Sequence, residues 1–223
     1  MTKTETDFHL TTARVETLGD GVFAIAMTLL ILEIRVPVVQ VATASAELPG
    51  ALFALWPKLL CYVISFITLG VYWVAHHLHF YTVRRADRML LWINILFLLT
   101  IGFVPFSTAL IGAYVHEQLP VVIYGANMVV ASLVLQWHWW YATHNHRLVR
   151  PDLDPTLVRS VTQVILMGPV VYLIAMALSY VSTSISIAMY LLVNLIYVIP
   201  GGIHLHFRKH ELAPHEQPNE KES

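Results

Sequence analysis

Charge is what this sequence has least of. Of its 223 residues 12% are Asp, Glu, Lys or Arg, while 57% are hydrophobic and the mean hydropathy is +0.65. A soluble domain carries about a quarter charged residues, so the solvent for most of this chain is lipid. The net charge of −1 leaves no electrostatic footprint for nucleic acid. The single cysteine, Cys61, excludes an intramolecular disulfide, and its place in an apolar run makes it a small buried hydrophobe. No P-loop, HExxH or GxSxG occurs, which removes the corresponding hydrolase chemistries. TVGYG is absent, so a carbonyl-lined potassium filter is excluded. No segment repeats arginine every third residue, so no voltage-sensing helix is present. The first dozen residues carry Glu5 and Asp7 where a signal peptide has basic residues, and no cleaved leader is expected.

Hydrophobic runs are what the sequence has most of. A helix needs about 20 residues to cross a bilayer. Six runs qualify, near 14–36, 51–77, 89–114, 119–143, 157–181 and 184–207. The expected fold is therefore an all-α membrane protein of six transmembrane helices. A short lead (1–13) precedes the membrane domain (14–207), and a polar tail (208–223) follows it. The longest connection, 37–50, reads as a loop. With the N-terminus inside, only Arg35 and Lys58 fall outside and every other Lys and Arg falls inside. That bias predicts a cell-membrane protein with both termini cytoplasmic. Pro105, Pro169 and Pro200 lie within helical runs and predict kinks. The two halves show no internal repeat, which weakens an inverted-repeat transporter.

The first run, RVETLGDGVFAIAMTLLILEIRV, holds Arg14, Glu16, Asp20 and Glu33 among its apolar residues. On a wheel stepping about 100° per residue, Leu18, Gly21, Val22, Ile25, Thr28, Leu29, Leu32 and Val36 gather within about 60° of Ile25. Asp20 falls about 140° away on the same wheel. A carboxylate at membrane depth is costly unless it is paired or wet. The donors at matching depth are His76 and His77 at the end of the second run and Asn94 in the third. Some of His77, Asn94 and nearby backbone are the expected partners of Asp20.

Arg14-x-x-x-Leu18-Gly19-Asp20-Gly21, followed by VFAIAMTLL, resembles the signature of the transmembrane protein 175 family. That family comprises potassium channels of prokaryotic membranes and of animal endosomes and lysosomes. Its pattern is an arginine, three residues, then Phe-Ser-Asp-Gly at the start of the first helix. The likeness continues through Trp73-Val-Ala-His-His77, through Asn94-Ile-Leu-Phe-Leu-Leu, and through Phe103-Val-Pro-Phe-Ser-Thr108. It departs at Leu18 and Gly19, which replace the phenylalanine and serine. The resemblance implies a homotetramer whose first helices line a central pore. It also implies a constriction of aliphatic side chains, Ile25, Leu29 and Leu32, with the Thr28 hydroxyl beside them. The permeant ion implied is potassium, preferred over sodium, and no cofactor is implied.

Two other readings compete. Asp20 and the histidines suit a proton-coupled secondary transporter. Among the 12 histidines, the runs at His76-His77-Leu-His79, His144-Asn-His146 and His204-Leu-His206 suit a metal or haem site. Most of these sit at helix ends, where histidine is an ordinary interfacial residue, so no metal site is expected. Glu33, Glu47 and Glu117 fall at the outer surface, where a weakly acidic mouth would concentrate cations.

Overall fold

A computed structural model of the chain describes residues 12–198. The first helix, α1 (Thr12–Leu32), is followed by a 3-10 turn (Val41–Thr43) and a short α2 (Ala44–Phe53). Then come α3 (Trp56–Thr82), α4 (Arg88–Gly102), α5 (Val104–Ala113) and α6 (Gln118–Thr143). The chain continues through α7 (Pro155–Leu178) and α8 (Thr183–Val198). Five spans among the described residues are long and apolar enough to cross a bilayer, with α4 and α5 counted as one. The sixth expected span is described for the 16 residues of α8. The remainder of it, with Pro200 and the tail, lies outside the described residues.

The expected boundaries shift for local reasons. The second span runs Trp56–Thr82 rather than 51–77. Pro57 sits in its first turn, where a missing N–H costs nothing. His76, His77 and His79 continue the helix instead of ending it. The expected loop at 37–50 is partly helical, since α2 forms despite Pro49. The third span breaks at Phe103 between α4 and α5. Pro105 there cannot donate to the carbonyl four residues back, so the ladder stops. Pro169 lies inside α7, which runs on through it.

Helix α6 is the centre of the bundle, packed against α4, α5, α7 and α8. Of its most apolar stretch 56% is buried, against 28% for α1. The core joins Phe23, Leu69, Phe97, Tyr124, Met128 and Tyr190. Helix α1 lies at one edge of this bundle, against α3, α4 and α5.

One end of the bundle is tied by polar contacts. Asp87 caps α4 by accepting from the Leu90 N–H at 2.9 Å, and its other oxygen accepts from the Tyr141 hydroxyl at 2.7 Å. Arg147 lies 3.8 Å from the same carboxylate and 4.6 Å above the Tyr141 ring. Arg84 N–H donates to the Leu148 carbonyl at 2.9 Å, and Arg85 donates to the Arg147 carbonyl at 3.3 Å. Three expected inner arginines, Arg84, Arg85 and Arg147, are thus neighbours at one end.

Candidate functional site

The residues of α1 that carry the sequence signature divide into three faces. Val15, Gly19, Phe23, Ala26 and Leu30 recur at spacings of three and four and are buried against the chain's own helices. They form the seat of the helix. A second face carries Leu18, Gly21, Ile25, Thr28, Leu29 and Leu32, all exposed on the single chain. Ile25 is 61% exposed and Leu32 67%. Between these faces, on the flank, lies Asp20, which is also exposed.

Asp20 accepts a hydrogen bond from the Trp73 indole N–H at 2.8 Å. The expectation that His77 and Asn94 hold it is therefore corrected. His77 lies against Trp73 instead, its ring nearly parallel at 5.9 Å. The Asn94 side-chain oxygen is 2.7 Å from His76 Nε2, inside the bundle. The physical reason is azimuth. Residues 73 and 77 share a flank of α3, and the indole reaches the carboxylate one turn before the imidazole does. His76 points the other way, into the core.

Gly19 is where α1 sits directly on α3. A Cβ at Gly19 would stand 2.7 Å from His76 Cε1. The His76 ring is itself fixed by Asn94 and lies between Phe97 and Phe80, at 5.5 and 4.9 Å. Bare backbone at position 19 lets α1 sit directly on that ring. Gly21 is the opposite case, since a Cβ there would meet nothing within 4 Å. It faces away from its own chain.

Thr28 sits on the exposed face and donates within its own helix, to the Ile25 carbonyl at 2.9 Å or the Ala24 carbonyl at 3.0 Å. Its proton is occupied and its oxygen lone pairs remain outward. Arg14 is exposed. Glu33 borders a small cavity with Lys58 at the other end of α1. Among the described residues no group of three or more His, Cys, Asp or Glu is placed to hold a metal ion. His204, His206 and His210 lie outside the described residues.

Sequence reasoning missed Trp73 as the partner of Asp20, and His76 as the seat of Gly19. The available signal was chemical: an indole N–H at membrane depth needs an acceptor, and Asp20 is the acceptor on the adjacent helix.

Residues 14–105 match the family model described as endosomal/lysosomal potassium channel TMEM175. A potassium channel of Streptomyces collinus is 36% identical over 82% of this chain and 90% of its own length. A potassium channel of Chamaesiphon minutus is 38% identical over 79% of this chain and 88% of its own length. A crystal structure described as a lysosomal potassium-selective channel TMEM175 homolog from Chamaesiphon minutus superposes with a TM-score of 0.74. It is 33% identical, covering 83% of this chain and 95% of that one. The signature at Arg14–Gly21, the apolar helices and the shared fold agree: this chain is a multi-pass membrane protein of the TMEM175 ion-channel family.

Proposed function

We propose that four copies of this chain form a passive cation channel that prefers potassium over sodium, with α1 of each copy lining the central pore. The observation that carries this reading is the exposed face of α1. One helix presents Ile25, Leu29 and Leu32 outward while its opposite side is packed. Such a face needs lipid or another copy, and Gly21 beside it leaves room for close approach. One first helix cannot ring a pore, so several copies are required.

In that ring Ile25 forms the constriction, which blocks ions by dewetting and opens when the helices tilt or rotate slightly. Leu29 and Leu32 extend the apolar lining, and Thr28 offers oxygen to a partly dehydrated ion. The Asp20–Trp73 bond fixes the flank of α1 to α3 and so sets the rotation of the lining face. The exposed Asp20 carboxylate lies where a neighbouring copy covers it. Arg14 stands at the inner entrance, and both termini are cytoplasmic. The preference for potassium is carried over from the relatives' descriptions.

The test is particle mass by light scattering together with potassium-gradient flux in liposomes. Four copies and passive, unsaturating flux are expected. A monomer without flux overturns the proposal, and saturable flux coupled to protons returns the transporter reading.

A further inference from the structure

Helix α6 is the most buried of the five described spans, yet one strip of it stays at the surface. Val130, Leu133, Trp137 and Trp140 are all exposed. They recur at spacings of three and four, so they share one face of the helix. Tyr141, half-buried, continues the line four residues after Trp137. From Val130 to Tyr141 the helix rises about 16 Å. One leaflet's share of a hydrocarbon core of about 30 Å is about 15 Å, so the strip is as long as one acyl chain.

The strip ends at a group of arginines. In the turn after α6, Asn145 and His146 have φ of 53° and 51°, the left-handed region that residues other than glycine seldom adopt. The chain folds back there, and the Arg147 guanidinium stands 4.6 Å above the Tyr141 ring. Val83 pairs antiparallel with Val149, and the Arg84 N–H donates to the Leu148 carbonyl at 2.9 Å. This pairing sets the α3–α4 turn beside the α6–α7 turn, where the Arg85 guanidinium donates to the Arg147 carbonyl at 3.3 Å. Val83, Leu90, Ala142, Leu148 and Val149 are buried together as a small core of their own. Arg85 and Arg147 are therefore held side by side by buried residues and backbone bonds.

The charge at this corner is not balanced. Arg84, Arg85, Arg147 and Arg150 are all exposed. Among the described residues one ion pair serves them, Arg147 with Asp87 at 3.8 Å, longer than a hydrogen bond. Both Asp87 oxygens already accept, one from the Leu90 N–H and the other from the Tyr141 hydroxyl. Four cations thus face one carboxylate whose oxygens are engaged. Orienting the chain in a membrane requires only that basic residues lie in the right loops. It does not require two of them to be pinned in contact, where like charges repel.

We propose that this corner binds the headgroup of an anionic phospholipid, with Arg85 and Arg147 clamping its phosphate and an acyl chain lying along Trp137, Leu133 and Val130. A guanidinium meets phosphate oxygens through paired N–H donors, and a phosphate between two arginines removes their mutual repulsion. Basic pockets at the ends of transmembrane helices take lipid headgroups in this way. A soluble phosphate would use the arginines alone. The apolar strip that runs to them, with indoles at headgroup level, selects a lipid. The site requires only that the bundle spans a bilayer, and it stands whether or not Ile25 lines a pore.

The test is native mass spectrometry of the full-length protein, delipidated in detergent. It is titrated with phosphatidylglycerol, with phosphatidylcholine of the same acyl chains, and with inorganic phosphate. Each arginine at a membrane surface strengthens binding of an anionic lipid about fivefold, so phosphatidylglycerol should bind about 25-fold tighter than phosphatidylcholine. Arg85→Gln and Arg147→Gln should each lower that preference about fivefold. Glutamine at position 85 can still donate to the Arg147 carbonyl, so Arg85→Gln keeps the two turns paired and carries the test if Arg147→Gln does not fold. Arg159→Gln, which changes an exposed arginine of α7, should keep the wild-type preference. Trp137→Ala should weaken both lipids alike. Equal binding of the two lipids by wild type overturns the proposal. So does a wild-type preference in monodisperse Arg85→Gln, or an equal loss in Arg159→Gln, which would make the effect one of diffuse charge. Lipid binding unchanged in Trp137→Ala overturns the placement of the acyl chain. Inorganic phosphate that displaces phosphatidylglycerol at matched concentration gives the arginines to a soluble anion and also overturns the proposal.

Discussion

Replacing Gly19 with alanine places a methyl group 2.7 Å from His76 Cε1. One of two things must give. The ring cannot swing freely, because Nε2 is 2.7 Å from the Asn94 oxygen and Phe97 lies nearly parallel to the ring at 5.5 Å. Breaking that buried bond costs about 1–3 kcal/mol. Moving α1 outward instead is overpacking of a core, which costs about the same, 1–3 kcal/mol. Each kcal/mol lowers the melting temperature of a domain this size by about 2–4 °C, so Gly19→Ala should melt about 2–12 °C below wild type. The assay is thermal unfolding of the detergent-solubilised particle. The same substitution in a His76→Ala background isolates the contact. There the obstacle is gone, and the extra cost of Gly19→Ala should fall close to zero. Equal melting of Gly19→Ala and wild type would refute the claim that α1 is seated on the His76 ring.

Three further outcomes follow from the geometry. Trp73→Phe keeps the aromatic bulk but leaves the Asp20 side chain without its indole donor. It should lower the yield of assembled particle on size exclusion, and an unchanged profile would count against the flank contact. Asp87→Ala removes the α4 cap and the Tyr141 acceptor together, and should destabilise by about 1–2 kcal/mol in the same melting assay. Cys61 is 3% exposed, so maleimide should label it in denatured but not in folded protein. Rapid labelling of the folded protein would contradict the packing of α3 on α1 and α5.

The helical pattern made much of this legible. The exposed face of α1 was readable because burial follows the 3.6-residue period. Leu18, Ile25 and Leu32 fall on one side of the wheel and Phe23, Ala26 and Leu30 on another. What depth along a helix does not give is azimuth. His77 and Asn94 sit at the right depth for Asp20, but one is screened by Trp73 and the other faces the core. The contact of Gly19 with His76 is a long-range fact between residues 57 positions apart, and no local pattern encodes it. The break at Phe103 was half legible, since Pro105 announced a kink without saying on which residue the helix would stop. Helix α2 was missed because Pro49 and Gly50 read as loop formers, yet Pro49 sits inside it.

The central claim is that the exposed face of α1 is the face ions pass. It is tested most directly by the potassium conductance of Ile25→Asn against wild type in the same planar bilayer. Potassium-carrying single-channel steps are expected in both, larger or longer open in the variant, because an amide ring stays wet where an isoleucine ring does not. Identical conductance and open time in the two, or no potassium current from either, would contradict it.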